Sequence, residues 1–389
     1  MIETMKWEKL KLKNIHGYLL RHSYKYYSYC VEHKHIHGDG FVKEYARDYN
    51  LGWQYYESVP VEMKKTKKQV EKELSMLHSY WHCFPDSYFV YNMFLRDKTD
   101  FEWMKSFQPQ AVFDKFSKIG DAQQYNIILD DKTIFRTLMN YYGIPIAPCL
   151  FVYRDGSFYK ENCLSNPISD TEIDVILRDN DTARIFAKCF SGGQGSGIHL
   201  FERKDNTYYH DGHVVSATYI RQWCGSTKYF FEKQVVNENS LNHINPSSLN
   251  TIRMTVKQVE GKVSLVSAVL RLSVGGCYMD NMHQGGLAVE VDMEKGTLQK
   301  YAYRKWDYHR YEIHPDTKIP FEGVVIKNWE KVKSLVLNTT CCLPPFRSLG
   351  FDVAITNEGP LIIEINTYPG NDLPQIVRSY GLAREFEIK

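Results

Sequence analysis

Apolar and polar residues alternate most strictly in one late stretch of the chain. There Gly350-Phe-Asp-Val-Ala-Ile-Thr and Leu361-Ile-Ile-Glu-Ile-Asn366 flank a short Asn-Glu-Gly-Pro segment. Period-two runs on either side of a glycine-bearing turn predict the two strands of a hairpin. Phe351, Val353 and Ile355 share one face of the first strand, and Leu361, Ile363 and Ile365 share one face of the second. The opposite face carries Asp352, Glu364 and Asn366. A turn centred on Glu358 sets Asp352 directly across from Glu364, with Cβ atoms roughly 4.5–5.5 Å apart. Two carboxylates at that spacing can hold the same divalent ions, and Asn366 adds a neutral oxygen. Hard oxygen ligands suit Mg2+ or Mn2+ better than zinc. A solvated edge hairpin would show the same polar face with no ion.

Upstream, residues 1 to about 118 read as mostly helical and highly charged. Val61 to Trp81 is the clearest helix, with Lys64, Lys65, Lys67 and Lys68 to one side of Val70, Leu74 and Leu77. Such a basic face suits solvent, or an anionic membrane surface. From about residue 120 the pattern changes. Asp130-Asp-Lys-Thr opens a helix whose apolar positions are Ile134, Phe135, Leu138, Met139 and Tyr142, and Gly143, Pro145 and Pro148 carry its stop signals. Strand-like runs follow at Cys149–Tyr153, Arg184–Phe190, Ile198–Phe201, Tyr229–Val236, Thr251–Val259, Val263–Leu272 and Gly286–Asp292. With the hairpin they predict a sheet-rich α+β region.

Composition narrows the function classes. A length of 389 residues leaves room for two or three domains. Lys and Arg number 48 against 46 Asp and Glu, so a net charge of +2 gives no electrostatic case for nucleic acid. Nine scattered cysteines, with Cys341-Cys342 the one adjacent pair, fit the reduced thiols of a cytoplasmic protein. The first residues do not read as a signal peptide, and no apolar run approaches the ~20 residues of a membrane span. The 28 Tyr and 20 Phe fit ordinary packing as well as a sugar or nucleotide site.

Several segments carry chemistry. Arg184-Ile-Phe-Ala-Lys-Cys-Phe190, then Ser191-Gly-Gly-Gln-Gly-Ser-Gly197, then Ile-His-Leu-Phe, reads as strand, glycine-rich loop, strand. Glycines at 192, 193, 195 and 197 let backbone N–H groups approach a polyphosphate, and Lys188 stands just before them. A plain flexible loop has the same composition, and no Walker A lysine follows. Lys132 opposes the dipole of the helix it opens, a conflict that a bound anion removes. Arg253 and Arg271 fall on adjacent predicted strands, followed by Asp280-Asn281-Met-His-Gln-Gly-Gly286. Arginines in a strand-built cleft suit a transferring phosphoryl group or a tetrahedral intermediate, and structural salt bridges are the plainer alternative. His33-Lys-His-Ile-His37 lacks a second ligand cluster and reads as a surface segment. There is no nucleophile elbow, no triad signature and no dinucleotide fingerprint.

In order, these residues resemble the ATP-grasp superfamily, most closely the sugar-transfer-associated ATP-grasp family. The resemblance runs from about residue 120 to about residue 375. It rests on Lys132, Lys188 and its loop, Glu232 in Phe-Phe-Glu-Lys-Gln-Val, Asn250-Thr-Ile-Arg253, Arg271, Asp280-Asn-Met-His-Gln-Gly-Gly, and Gly350-Phe-Asp352…Glu364-Ile-Asn366-Thr-Tyr-Pro-Gly370. Cys189 stands where many relatives have proline. The resemblance implies an ATP-grasp fold, two α+β lobes sandwiching ATP, in residues 119–389. A glycine-loop lobe would span about 149–235 and a metal-binding lobe about 236–375. A helical region, 1–118, that would bind substrate or partner would precede them, unlike the usual Rossmann-like first domain.

It further implies that Lys132 and Lys188 hold the ATP phosphates under the loop of Ser191, Gly192, Gly193, Gly195 and Gly197. Glu232 would line the adenine and ribose pocket, and Asp352, Glu364 and Asn366 would carry two Mg2+ ions. Arg253, Arg271 and Asn281 would serve the triphosphate end and the acceptor carboxylate. The implied activity is ATP-dependent carboxylate–amine ligation through an acylphosphate, on small-molecule substrates in the cytoplasm, with a role in surface polysaccharide synthesis. Two alternatives share the ATP site: a kinase of a sugar or polyol hydroxyl, and a non-catalytic ATP-binding partner of a glycosyltransferase.

Overall fold

The computed structural model describes residues 19–20, 23–32, 40–118, 124–161, 163–190, 197–278, 280, 282 and 285–386. Two antiparallel sheets frame it. The first contains β1 (Cys149–Arg154), β2 (Ser157–Lys160), β3 (Cys163–Ile168), β4 (Arg184–Cys189), β5 (Ile198–Lys204), β6 (Thr207–His210), β7 (His213–Val214) and β8 (Tyr229–Lys233), in the order β3-β2-β1-β8-β4-β5-β6-β7. The second contains β9 (Thr251–Val259), β10 (Lys262–Leu272), β11 (Leu287–Val291), β12 (Leu298–Tyr303), β13 (Ser348–Ile355) and β14 (Pro360–Asn366), in the order β12-β11-β10-β9-β13-β14. Every strand expected from the pattern is present. The pattern missed β2, β3, β6, β7 and β12, which are short or polar and lie toward sheet edges. Their turns are nonetheless written in the chain. Asp155-Gly156 before β2, Asp205-Asn206 before β6 and Asp211-Gly212 before β7 each place two successive residues at positive φ, the twist a tight hairpin needs.

The closing hairpin adopts the expected register, Asp352 opposite Glu364. A bulge then departs from strict alternation: Val353 pairs with Ile362, so Ile363 is the extra residue. Ile362 and Ile365 therefore enter the core, whereas Ile363, expected on one face with Leu361 and Ile365, turns into the cleft beside Glu364. Gly350 keeps the next segment close, since a Cβ there would lie 2.7 Å from Pro369 Cβ.

The helix opened by Lys132 spans Lys132–Tyr141. The Asp131 side chain caps it, accepting from the backbone N–H groups of Thr133 and Ile134. Phe135 and Met139 pack inward with the face of the six-stranded sheet that also receives the helix Trp329–Cys341. Ile134 and Tyr142, expected on the apolar face, are exposed. The eight-stranded sheet packs Phe151, Phe158, Phe201 and Phe231 against the helices Asp170–Asp179 and Ala217–Cys224.

The helical region corrects one expectation. The helix begins at Lys67, not at Val61, because Thr66 and Gln69 form a capping box. Lys64 and Lys65 lie before it and are 7% and 5% exposed. Lys64 Nζ donates to the Tyr56 carbonyl at 2.7 Å, and Lys65 Nζ to Glu73 Oε2 at 2.7 Å and the Met93 carbonyl at 2.8 Å. These two lysines tie the region together, so the basic membrane-facing surface they suggested does not exist as read. No helix among the described residues is long and apolar enough to cross a membrane.

An aromatic-rich core joins this region to the outer part of the six-stranded sheet at Val269 and Ala288, and to the segment around Leu373–Val377. Three buried amides lock that junction. Gln375 Oε1 accepts from the Gln108 N–H at 2.9 Å, and Gln375 Nε2 donates to Tyr91 Oη at 3.1 Å. Asn371 Nδ2 donates to the Gln108 carbonyl at 2.7 Å, and its backbone N–H to Gln110 Oε1 at 2.9 Å.

Candidate active site

A cleft of about 510 Å3 opens between the two sheets. β4 and β8 of one sheet present Lys188 and Glu232 to it. β9, β10, β13 and β14 of the other present Arg253, Arg271, Asp352, Glu364 and Asn366. The segment Lys233–Asn237, which connects the sheets, lines one end, and Tyr278, Asp280, Tyr368 and Asp372 line the other part.

On the six-stranded sheet the charges are paired and largely buried. Arg253 Nε meets Asp352 Oδ1 at 2.5 Å, and Arg271 Nη2 meets Asp352 Oδ2 at 3.1 Å. The pairing follows from the register, since β9 aligns Arg253 with Asp352 and also with Val269, two residues before Arg271 on the same face of β10. Arg271 also reaches Asp280 Oδ1 at 3.3 Å, and Thr251 anchors Asp280, its hydroxyl donating to Oδ2 at 2.6 Å. Burial by itself would raise the Asp352 pKa, but the two guanidinium groups outweigh it and hold the carboxyl below its usual range. Burial wins at Asp280, whose pKa is raised despite Arg271 and Thr251. Glu364 is more open to solvent, yet desolvation by the cleft walls and the charge of Asp352 beside it raise its pKa too.

On the eight-stranded sheet one carboxylate bridges two cations. Glu232 Oε2 meets Lys188 Nζ at 2.6 Å, and Glu232 Oε1 meets Arg136 Nη1 at 2.6 Å. Arg136 also pairs with Glu161 and donates to the Ala147 carbonyl at 2.7 Å. Lys132 stands behind the cleft and donates to the Cys189 carbonyl at 3.0 Å. Burial lowers its pKa; Glu364 opposes that and Lys188 adds to it, so these groups sit in one electrostatic neighbourhood. Gly197 closes the base of the glycine-rich loop, its carbonyl accepting from the Cys189 N–H at 3.0 Å.

Eight of the expected site residues thus converge here: Lys132, Lys188, Glu232, Arg253, Arg271, Asp352, Glu364 and Asn366. Ser191, Gly192, Gly193, Gly195 and Asn281 lie outside the described residues, as does the His33–His37 segment. Two expectations need refinement. Arg253 and Arg271 are held by Asp352 and Asp280, and Glu232 is an ion-pair bridge. Sequence reasoning missed Arg136 and gave Asp280, quoted within its motif, no role of its own. Arg136 lies four residues after Lys132, hence on the same helix face, a spacing that could have marked it.

The donor set fits a hard divalent cation. Asp352 and Glu364 are paired directly across the hairpin. Asn366 Nδ2 donates to the Gly350 carbonyl at 3.3 Å, leaving the amide oxygen as its donor toward a cation. No cluster of three or more His, Cys, Asp or Glu forms a metal site among the described residues, so the candidate set is two carboxylates and an amide.

Residues 114–388 match the family described as sugar-transfer associated ATP-grasp. No curated protein matches the sequence. Among solved structures, similarity is found to D-alanine–D-alanine ligase from Bacillus anthracis complexed with ATP, with a TM-score of 0.34, 14% identity, and coverage of 62% of this chain and 57% of that one. It is found also to D-alanyl-alanine synthetase A from Vibrio cholerae, with a TM-score of 0.37, 14% identity, and coverage of 65% and 60%. A third is N5-carboxyaminoimidazole synthase from Aspergillus clavatus in complex with ADP and an aminoimidazole ribonucleotide, with a TM-score of 0.35, 9% identity, and coverage of 67% and 51%. The chain spans about half to three fifths of the length of these structures.

Proposed function

Because the chain belongs to the sugar-transfer associated ATP-grasp family, we propose that it is an ATP- and Mg2+-dependent carboxylate–amine ligase working through an acylphosphate. One observation carries the reading: cations on one sheet, Lys188 with Lys132 behind it, face the carboxylates and amide of Asp352, Glu364 and Asn366 on the other, across a cleft of about 510 Å3. In this reading residues 119–389 form the catalytic unit, with the two sheets as its halves.

Glu232 and the connecting segment Lys233–Asn237 border the base and ribose. Lys132 and Lys188 take the phosphates, and the loop Ser191–Gly197 covers them and keeps water out. Asp352, Glu364 and Asn366 would hold two Mg2+ ions, which supply charge neutralisation of the triphosphate. Arg253 and Arg271, already fixed by Asp352, orient the acceptor carboxylate and meet the charge that grows on the transferring group. Asn281 assists at that end. The acceptor oxygen attacks the γ-phosphorus while the bond to the β,γ-bridging oxygen breaks, releasing ADP. An amine then adds to the acyl carbon, loses a proton and expels phosphate.

The family's description favours an acidic sugar, or a sugar-linked acid joined to an amino acid, as the acceptor, in polysaccharide synthesis. The test is ATP turnover with Mg2+, pooled uronic and amino acids, and hydroxylamine as trap. A hydroxamate equal in amount to the ADP formed supports the ligase. ADP with a phosphorylated alcohol and no hydroxamate shows a kinase in its place.

A further inference from the structure

Arg136 is buried in the helix Lys132–Tyr141, and each of its three nitrogens is committed. Nε pairs with Glu161, Nη1 with Glu232 Oε1 at 2.6 Å, and Nη2 donates to the Ala147 carbonyl at 2.7 Å. Phe230 closes over it, with the guanidinium carbon 5.5 Å from the ring centroid. Arg136 is buried, held through all three nitrogens and absent from the lining of the cleft, so any influence it has there passes through Glu232.

Glu232 divides its two oxygens between Arg136 and Lys188, and the three side chains differ in access. Those of Arg136 and Glu232 are each 6% exposed, whereas Lys188 is 21% exposed and lines the cleft. Of the three groups, Lys188 is the one placed to move. With Glu161 included, two cations balance two carboxylates. If Lys188 turns to a polyphosphate, Arg136 remains as the cation in direct contact with Glu232. Without Arg136 the same movement would strand a buried carboxylate, a state proteins strongly disfavour.

We propose that Arg136 is a positioning residue for the nucleotide. It gives Glu232 a second, fixed cationic partner, and so frees Lys188 to exchange that carboxylate for a phosphate. The proposal rests on the reading of the cleft as an ATP site.

The test compares binding of ADP and adenosine to the full chain by calorimetry, because adenosine carries no phosphate for Lys188. In Arg136→Met the ratio of ADP to adenosine affinity is expected to fall roughly tenfold, the scale of one charge-assisted hydrogen bond. Adding Glu232→Gln to that variant is expected to restore the ratio, since a neutral amide does not retain the lysine. Glu161→Gln tests the opposite sign: Arg136, relieved of one carboxylate, neutralises Glu232 more fully and the ratio rises. It also serves where Arg136→Met does not fold. An unchanged ratio in these variants, even with both affinities or the melting temperature lowered, overturns the proposal and leaves Arg136 a structural residue. A parent chain that binds neither ligand overturns the ATP-site reading itself.

Discussion

The two sheets that face each other across the cleft handle charge differently. On the six-stranded sheet, Asp352 pairs one oxygen with Arg253 and the other with Arg271, and Arg271 continues to Asp280. The register sets this lattice, and none of its members can leave without exposing another buried charge. On the eight-stranded sheet, Glu232 joins a fixed partner, Arg136, to a more exposed one, Lys188. One sheet is a rigid electrostatic template, and the other carries a cation that can be exchanged. A site that must both hold a reacting group still and admit a mobile polyphosphate needs one of each.

Breaking the template should cost most. Asp352→Leu leaves two guanidinium groups without their shared carboxylate, and unfolding free energy should fall by about 3–5 kcal/mol in urea titration. Removing the exchangeable cation should behave in the opposite way. Lys188→Met should weaken ATP binding at least about tenfold while changing stability by less than about 1 kcal/mol, because Glu232 retains Arg136. Equal stability losses in these two variants would erase the contrast between the sheets.

A subtler test uses Lys132. Burial and the neighbouring Lys188 hold its pKa below the ordinary lysine value, which disfavours its ammonium form in the unliganded protein. A bound triphosphate favours the ammonium and raises that pKa. ATP binding should then take up protons in the alkaline range, below the ordinary value of about 10.4, by a fraction of a proton per site. Calorimetry in buffers of different ionisation enthalpy measures the uptake, and Lys132→Met should abolish it. The smallest effect is expected at the far edge of the eight-stranded sheet. Burial lowers the pKa of His210, with Asp211 opposing and His199 and His213 reinforcing the shift. His210 is therefore neutral when folded and gains a proton more readily when unfolded. Its contribution to stability is present above about pH 6.5 and is lost as pH falls below it. The melting temperature should drop by about 1–2 °C on that account, and less in His210→Gln.

The same contrast explains what could be read in advance. Strict alternation around a recognisable turn was enough to align Asp352 with Glu364, because period two leaves little choice of register. The bulge at Ile363 was invisible, since a single inserted residue leaves the composition of both strands unchanged. Lys188 could be found beside its glycines, but no motif marks Arg136; its partners Glu161 and Glu232 are distant in sequence. The roles of Arg253 and Arg271 were legible only as alternatives, because whether an arginine awaits a ligand or holds an aspartate depends on a third strand. Lys64 and Lys65 misled for a local reason. Four lysines in five positions resemble one helical face until Thr66 is recognised as the cap that excludes the first two.

The amide lock at the junction of the helical region has a consequence in time. Gln108 and Gln375 are 267 residues apart. At translation rates of roughly 5–20 residues per second, the later partner emerges on the order of tens of seconds after the earlier one. Until then the aromatic core around Tyr91 lacks the segment that covers it, and the part of the cleft bordered by Gly370, Asp372 and Leu373 has no wall. The nascent chain must pass through this interval with apolar surface open to chaperones and proteases. The cleft is completed by a contact that spans 267 residues of the chain.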